Sequence, residues 1–166
     1  MKKVSIIGAD MGWAQAPENG EAWGMNDVIK LRPVTRVISS DPADDCNVSD
    51  AKKLADESNT HFIGQDNYPL KEIIASFGID YFSNTIAYAI ALAIYEGYEE
   101  IDLYGINLDN LQEATHEKDG IDFWCGFAKG RGIKVTVHGL RSQVMKTKSG
   151  LLYGFGHPQG LTHLYL

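Results

Sequence analysis

The chain has 166 residues, 44% of them hydrophobic, and a formal net charge of −7 with Lys and Arg scattered along its length. That size fits one globular domain able to bury a core. The lack of a basic stripe argues against duplex nucleic acid as a partner, because phosphate contacts need clustered cations. A small anionic ligand stays open, since helix N-termini and backbone N–H groups can hold phosphate without net positive charge.

The cysteines, Cys46 and Cys125, form no CxxC pair. They read as free thiols in a reducing cytoplasm, and their spacing suggests no metal site. The apolar run after the N-terminal lysines stops at Gly8-Ala9-Asp10, too short for a signal peptide or a membrane span. No later run spans a bilayer either. The expectation is a soluble cytoplasmic protein with no membrane partner.

Val4–Ile7 is a continuous apolar run, as in strands buried on both faces of a parallel sheet. Ala9–Gly20 reads as a loop and Ala22–Met25 as a second strand. Asn26 and Asp27 then start a short helix that must stop before Pro33. Arg36–Ser39 is a third strand with a Ser40-Asp41-Pro42 turn, Val48–Ser58 a polar helix with Ser49 as its cap, and Thr60–Ile63 a fourth strand. Pro69–Phe77 opens with proline at a helix start. Ser83 or Asn84 caps a longer helix, apolar nearly all round and therefore buried, which stops at Gly97. Glu100–Tyr104 is a strand, Gly120–Lys129 a helix and Ile133–Val137 a last core strand. Alternating strands and helices predict an α/β fold: a single doubly wound, Rossmann-like, mostly parallel sheet with helices on both faces. That domain is expected over 1–150. The Gly- and aromatic-rich tail over 151–166 is expected to pack back on the domain or on a neighbouring subunit, so a homo-oligomer is one expectation.

Open parallel sheets bind ligands beyond the carboxyl ends of their strands. Gly8 and Asp10 stand at the first such end, where glycine lets a backbone approach a ligand or simply makes a tight turn. The spacing is not G-x-G-x-x-G. Asn26 suits a base edge or a ribose hydroxyl, and equally a helix cap. Ser40 and Asp41 follow the third strand; the carboxylate could meet a ribose hydroxyl, a metal or a protonated base, or hold the turn before Pro42. Ser83 and Asn84 stand at a helix N-terminus that suits phosphate, with Gly105 and Asn107 beside them across the sheet. His116 lies in an irregular segment with Glu113, Glu117 and Asp119 nearby, a candidate proton-transfer group or a solvated loop residue. No P-loop, G-x-S-x-G or H-E-x-x-H is present.

SNTIAYAIALAIYEGYEEIDLYGIN, Ser83–Asn107, resembles the segment of bacterial sialyltransferases and motility-accessory-type glycosyltransferases that contributes to the CMP site, a Ser-initiated helix running into G-[YF]-x-E-I-x-L-x-G-[IV]-D. Gly8 and Asn26 match that family's first glycine loop and second-strand Asn in kind. The chain is also similar, over most of its length, to small phage-encoded Rossmann-like proteins. It shares their W-G-[LM]-N at Trp23–Asn26, Asp41-Pro42, Tyr68-Pro69-Leu70, Ser83–Tyr88, Gly126–Val135 and Leu152-Tyr153-Gly154. The resemblance implies a nucleotide or nucleotide-sugar ligand, no other cofactor, glycosyltransferase-like or hydrolase-like activity with His116 and Asp41 as catalytic candidates, and, for a phage protein, the host cytoplasm. Asn107 stands where the transferases have Asp, which removes a charge near the ligand, and the chain lacks their acceptor lid. A non-catalytic protein that sequesters a nucleotide signal, or an interaction module without ligand, are the alternatives.

Overall fold

The computed structural model describes residues 1–110 and 115–159. Its six strands are Lys3–Ile7 (β1), Ala22–Met25 (β2), Arg36–Ile38 (β3), His61–Ile63 (β4), Glu100–Tyr104 (β5) and Lys134–Val137 (β6). They form one sheet in the order β4-β3-β2-β1-β5-β6, and every pairing is parallel. The chain steps outward from β1 to β4, then returns to the other side of β1. The strand order therefore reverses between β1 and β5, where open α/β sheets leave a crevice.

The helices are Cys46–Glu57 (α1), Leu70–Phe77 (α2), Thr85–Tyr95 (α3) and Lys118–Gly130 (α4). Short 3-10 turns at Trp13–Gln15 and Asn26–Lys30 replace helices in the first crossovers. Alternate strand residues feed two faces. Val4, Ile6, Trp23, Ile38, Ile101 and Leu103 pack with α2, α3 and α4, while Val37 meets Ala51 and Ala55 of α1. Ile7 joins Val28 and Tyr104 in a separate cluster on that second face. This two-sided burial is why the strands read as unbroken apolar runs. The expected α/β parallel sheet with helices on both faces is present.

The cap of α1 differs from expectation. Asp45, not Ser49, stands at the N-cap and accepts from the Asn47 N–H at 2.8 Å, while the Ser49 hydroxyl donates to the Cys46 carbonyl at 2.9 Å inside the first turn. An Asp two residues before the amide it caps satisfies an orphan donor that Ser49, already helical, cannot reach. On β5, Asp102 is buried beside Lys3, 2.6 Å away. Burial alone would raise its pKa, but the Lys3 hydrogen bond and charge, then His138, hold it below the usual carboxylate value.

Among the described residues no helix is long and apolar enough to cross a membrane. The described part of the tail closes on itself through a Leu151–Pro158 bridge, with Tyr153 97% and Phe155 78% exposed. Those rings do not pack on the sheet; Tyr165 lies outside the described residues.

Candidate functional site

A cleft of about 610 Å³ opens at the carboxyl edge of the sheet. Gly8, Asp10, Asn26, Ser40, Asp41, Ser83, Asn84 and Gly105 all line it. The volume lies within the ~300–1,000 Å³ of pockets that enclose a small-molecule ligand. Asn107 and His116 are not in the lining.

The floor is formed by the turns after β2 and β3. Asn26 leaves β2 with φ 45°, a left-handed conformation that Asn tolerates better than most residues. Its amide nitrogen donates to Asp41 Oδ2 at 2.9 Å, which fixes which end of the amide is oxygen. That oxygen is shut off from solvent and has no hydrogen-bond partner. Buried acceptors are rarely left so. Next to it, the Ser40 hydroxyl lies 2.7 Å from Thr85 Oγ1, tying the end of β3 to the first residue of α3.

One wall is the start of α3. Asn84, not Ser83, is the cap: its Oδ1 accepts from the Ala87 N–H at 3.0 Å. The same side chain donates from Nδ2 to Glu117 Oε2 at 2.8 Å, and the Ser83 hydroxyl donates to the Glu117 carbonyl at 2.6 Å. Glu117, the neighbour of His116, is thus pinned to the helix start while His116 itself is exposed. Gly120 lets α4 come this close, because a Cβ there would overlap the Ser83 hydroxyl and lie 2.8 Å from its Cβ. Phe82 and Tyr88, stacked 4.3 Å apart, add an apolar stretch to the lining.

The opposite wall comes from the β1 and β5 turns. A Cβ on Gly105 would lie 2.5 Å from the Gly8 carbonyl oxygen and 2.8 Å from that of Asp10, and its φ is +60°. The two glycines therefore let strand-end turns approach each other. Asp10 accepts from the Asn107 N–H at 2.8 Å, and the Asn107 amide donates to the Met11 carbonyl at 3.2 Å. Asn107 is 3% exposed and serves as a loop staple, away from the cleft where it was expected to meet a ligand.

The lining carries Asp10, Asp27, Asp41 and Glu117 and no Lys or Arg among the described residues. Each carboxylate has a partner: Asp10 the Asn107 N–H, Asp41 the Asn26 amide and Glu117 the Asn84 amide, while Asp27 forms an ion pair with Lys30 at 2.9 Å. Sequence reasoning missed Thr85 and Glu117. Thr85 follows the cap and looked like an ordinary first-turn residue; Glu117 was seen only as a neighbour of His116.

The class these features define is an α/β sheet with a polar cleft at its switch-point edge. The apo α-2,3-sialyltransferase of Campylobacter jejuni shares this fold, with a TM-score of 0.51 at 14% identity over 87% of this chain and 77% of that one. The C. jejuni sialyltransferase CstII with the substrate analogue CMP-3FNeuAc matches at 0.43 and 17% identity, over 82% of this chain and 80% of that one. CstII with cytidine-5′-monophosphate matches at 0.43 and 16%, over 86% and 81%. No protein-family model matches the chain, and no curated protein matches it in sequence.

Proposed function

We propose that the cleft binds a nucleotide or nucleotide-sugar-type ligand and supports glycosyltransferase-like or hydrolase-like chemistry. The observation that carries this reading is Asn26 Oδ1, buried on the cleft floor without a partner while Asp41 holds the other end of the amide. A turn of the Asn26 side chain toward the cleft would offer that oxygen to a ligand N–H or O–H, from a base edge or a ribose hydroxyl. The acidic lining leaves one place for a ligand phosphate, the N-terminus of α3. The Ala87 N–H is taken by the Asn84 cap, which leaves those of Thr85 and Ile86 with no carbonyl ahead of them, and the helix dipole favours negative charge. Gly8 and Gly105 give the ligand bare backbone, and Ser40 and Ser83 offer hydroxyls at the rim.

In the catalytic form of this reading, His116 moves the proton and Asp41 assists by orienting Asn26. The Ser83-Asn84 clamp on Glu117 holds the histidine's neighbour at the rim. Residues 1–150 form the ligand-binding unit and 151–166 an appended tail; any pairing of copies through its exposed aromatics belongs to this proposal. A cytoplasmic setting, in an infected host for a phage protein, fits the resemblance in sequence.

The second reading is a non-catalytic nucleotide binder. Two placements favour it: His116 lies outside the lining, and the Asp41 carboxylate is committed to Asn26.

Calorimetric titration with CMP tests the binding, and product analysis after incubation with CMP-sugars tests the chemistry. Saturable CMP binding is expected, with turnover lost in His116→Ala while affinity is kept. Recovery of every offered CMP-sugar intact favours the sequestering reading. No binding of CMP or any other nucleoside phosphate sinks both.

A further inference from the structure

Positive and negative residues are distributed differently along the chain. Lys and Arg occur throughout, but all 22 acidic residues lie at or before Asp122. Residues 123–166 therefore carry six Lys and Arg and no acid, a formal charge of +6 against −13 for the rest. Such asymmetry within one chain points to a segment that meets an anionic surface.

The acid-free segment leaves the sheet at its carboxyl edge. The Ser142 hydroxyl donates to the Ile106 carbonyl at 2.6 Å, the Gln143 N–H to the Asn107 carbonyl at 3.0 Å and the Met145 N–H to Asp122 Oδ1 at 2.5 Å. Past these anchors it folds on itself into an arm. The Thr147 hydroxyl donates to the Leu151 carbonyl at 2.8 Å, the Leu152 N–H to the His157 carbonyl at 2.7 Å and the Gln159 N–H to the Gly150 carbonyl at 2.9 Å. The arm so closed carries Lys146, Lys148 and the two exposed rings, Tyr153 and Phe155. None of residues 139–159 lines the chain's own cleft.

The cleft is the complement of the arm. Of its four carboxylates, Asp10, Asp41 and Glu117 have neutral amides as partners. A neutral donor satisfies a lone pair and leaves the charge in place, so the lining stays anionic. It also bears the stacked Phe82 and Tyr88 rings.

We infer that the arm of a second copy of this chain closes over the cleft, with Lys146 and Lys148 facing its carboxylates and Tyr153 and Phe155 its aromatic wall. Exchange of arms between two copies closes the assembly as a pair. The arm's effect on the ligand rests on the nucleotide reading: it brings to a ligand phosphate the cations that the cleft lacks.

Sedimentation velocity of the full chain tests the pairing. A monomer–dimer equilibrium is expected, weaker in high salt, because the Debye length shortens from about 10 Å at 0.1 M to about 3 Å at 1 M. Tyr153→Ala with Phe155→Ala, at exposed positions, should weaken pairing about tenfold or more. Lys146→Glu with Lys148→Glu should weaken it about a hundredfold, since like charges then face each other. For the arm's position, a nitroxide is attached to Ser149→Cys in a Cys46→Ser chain, whose remaining Cys125 is buried. Mixed with 15N-labelled parent chain, it should broaden the Gly8, Asn26 and Asn84 amides. The inference is overturned if the chain stays a monomer, if either double variant pairs as the parent does, or if that broadening requires label and 15N in one chain. It is also overturned if a monomeric parent captures polyuridylate or phosphatidylglycerol vesicles and the lysine double variant does not, which gives the arm a polyanionic partner instead. Calorimetry with CMP separates the two readings. Pairing without CMP binding removes the nucleotide reading and leaves the exchanged arms, and CMP binding by a chain that never pairs removes the arms alone. The lysine double variant should bind CMP about tenfold more weakly, and unchanged affinity removes the arm's part in holding phosphate.

Discussion

The rim of the cleft has two halves that look alike in sequence and behave differently in space. At β1 and β5 the turns satisfy each other. The Asp10 N–H meets the Gly105 carbonyl at 3.0 Å, the Asp10 carboxylate takes the Asn107 N–H, and the Asn107 amide holds Met11. At β2 and β3 the turns are left incomplete, with Asn26 Oδ1 and Ser39 Oγ buried and unpartnered. A turn that closes its own hydrogen bonds is scaffold. A turn that keeps a buried acceptor unpaired gains when its side chain swings toward a guest that supplies the missing partner. Substitutions on the first half should therefore act on stability, and those on the second on binding.

The largest effect is expected at Gly105. Alanine there meets both a left-handed φ of +60° and the Gly8 and Asp10 carbonyls. The combined strain should cost about 3 kcal/mol, read from urea unfolding. Gly97→Ala is the matched control, with φ +76° and nothing within 4 Å, and should lose only about 1 kcal/mol. Equal losses at the two positions would mean that the β1 and β5 turns do not interlock.

Asn26→Ala should do the opposite. Binding of CMP is expected to weaken about tenfold, which is about 1.4 kcal/mol. The folded state should lose about 1 kcal/mol, from the left-handed backbone and the bond to Asp41. Calorimetry and urea unfolding on the same preparation separate the two quantities. Unchanged affinity would return Asn26 to the role of a turn former and erase the contrast between the halves.

The sequence showed the sheet because the physics of parallel strands is local. Val4–Ile7 and Glu100–Tyr104 are the right length and composition, and Gly97 marks where α3 must stop, with φ +76°. It also showed that polar residues gather at strand ends. It could not say which of them face a ligand, because that depends on distant partners. Asn107 is turned away by Met11, 96 residues earlier, and Ser83 is occupied by Glu117, 34 residues later. Ser39 looked like the last residue of a strand, and nothing in its neighbours announces a buried hydroxyl left without a partner. The α1 cap was misplaced for a similar reason. Several residues around Asp45 can cap, and the turn in which the Asp45 N–H meets the Pro42 carbonyl at 3.0 Å selects the earlier one.

The smallest effect is the most discriminating, because its sign is at stake. A buried hydroxyl with no partner gives the folded state nothing to offset the water it lost. Ser39→Ala should therefore leave stability unchanged or raise it by up to about 1 kcal/mol. Ser142 provides the comparison: it is fully buried too, but its hydroxyl donates to the Ile106 carbonyl at 2.6 Å and accepts from the Val144 N–H at 3.3 Å. The same deletion there strands a buried carbonyl and an amide, and should cost about 1–3 kcal/mol. If urea unfolding shows equal losses for the two alanines, then Ser39 already has a partner in the unliganded protein. In that case the incomplete half of the rim rests on Asn26 alone.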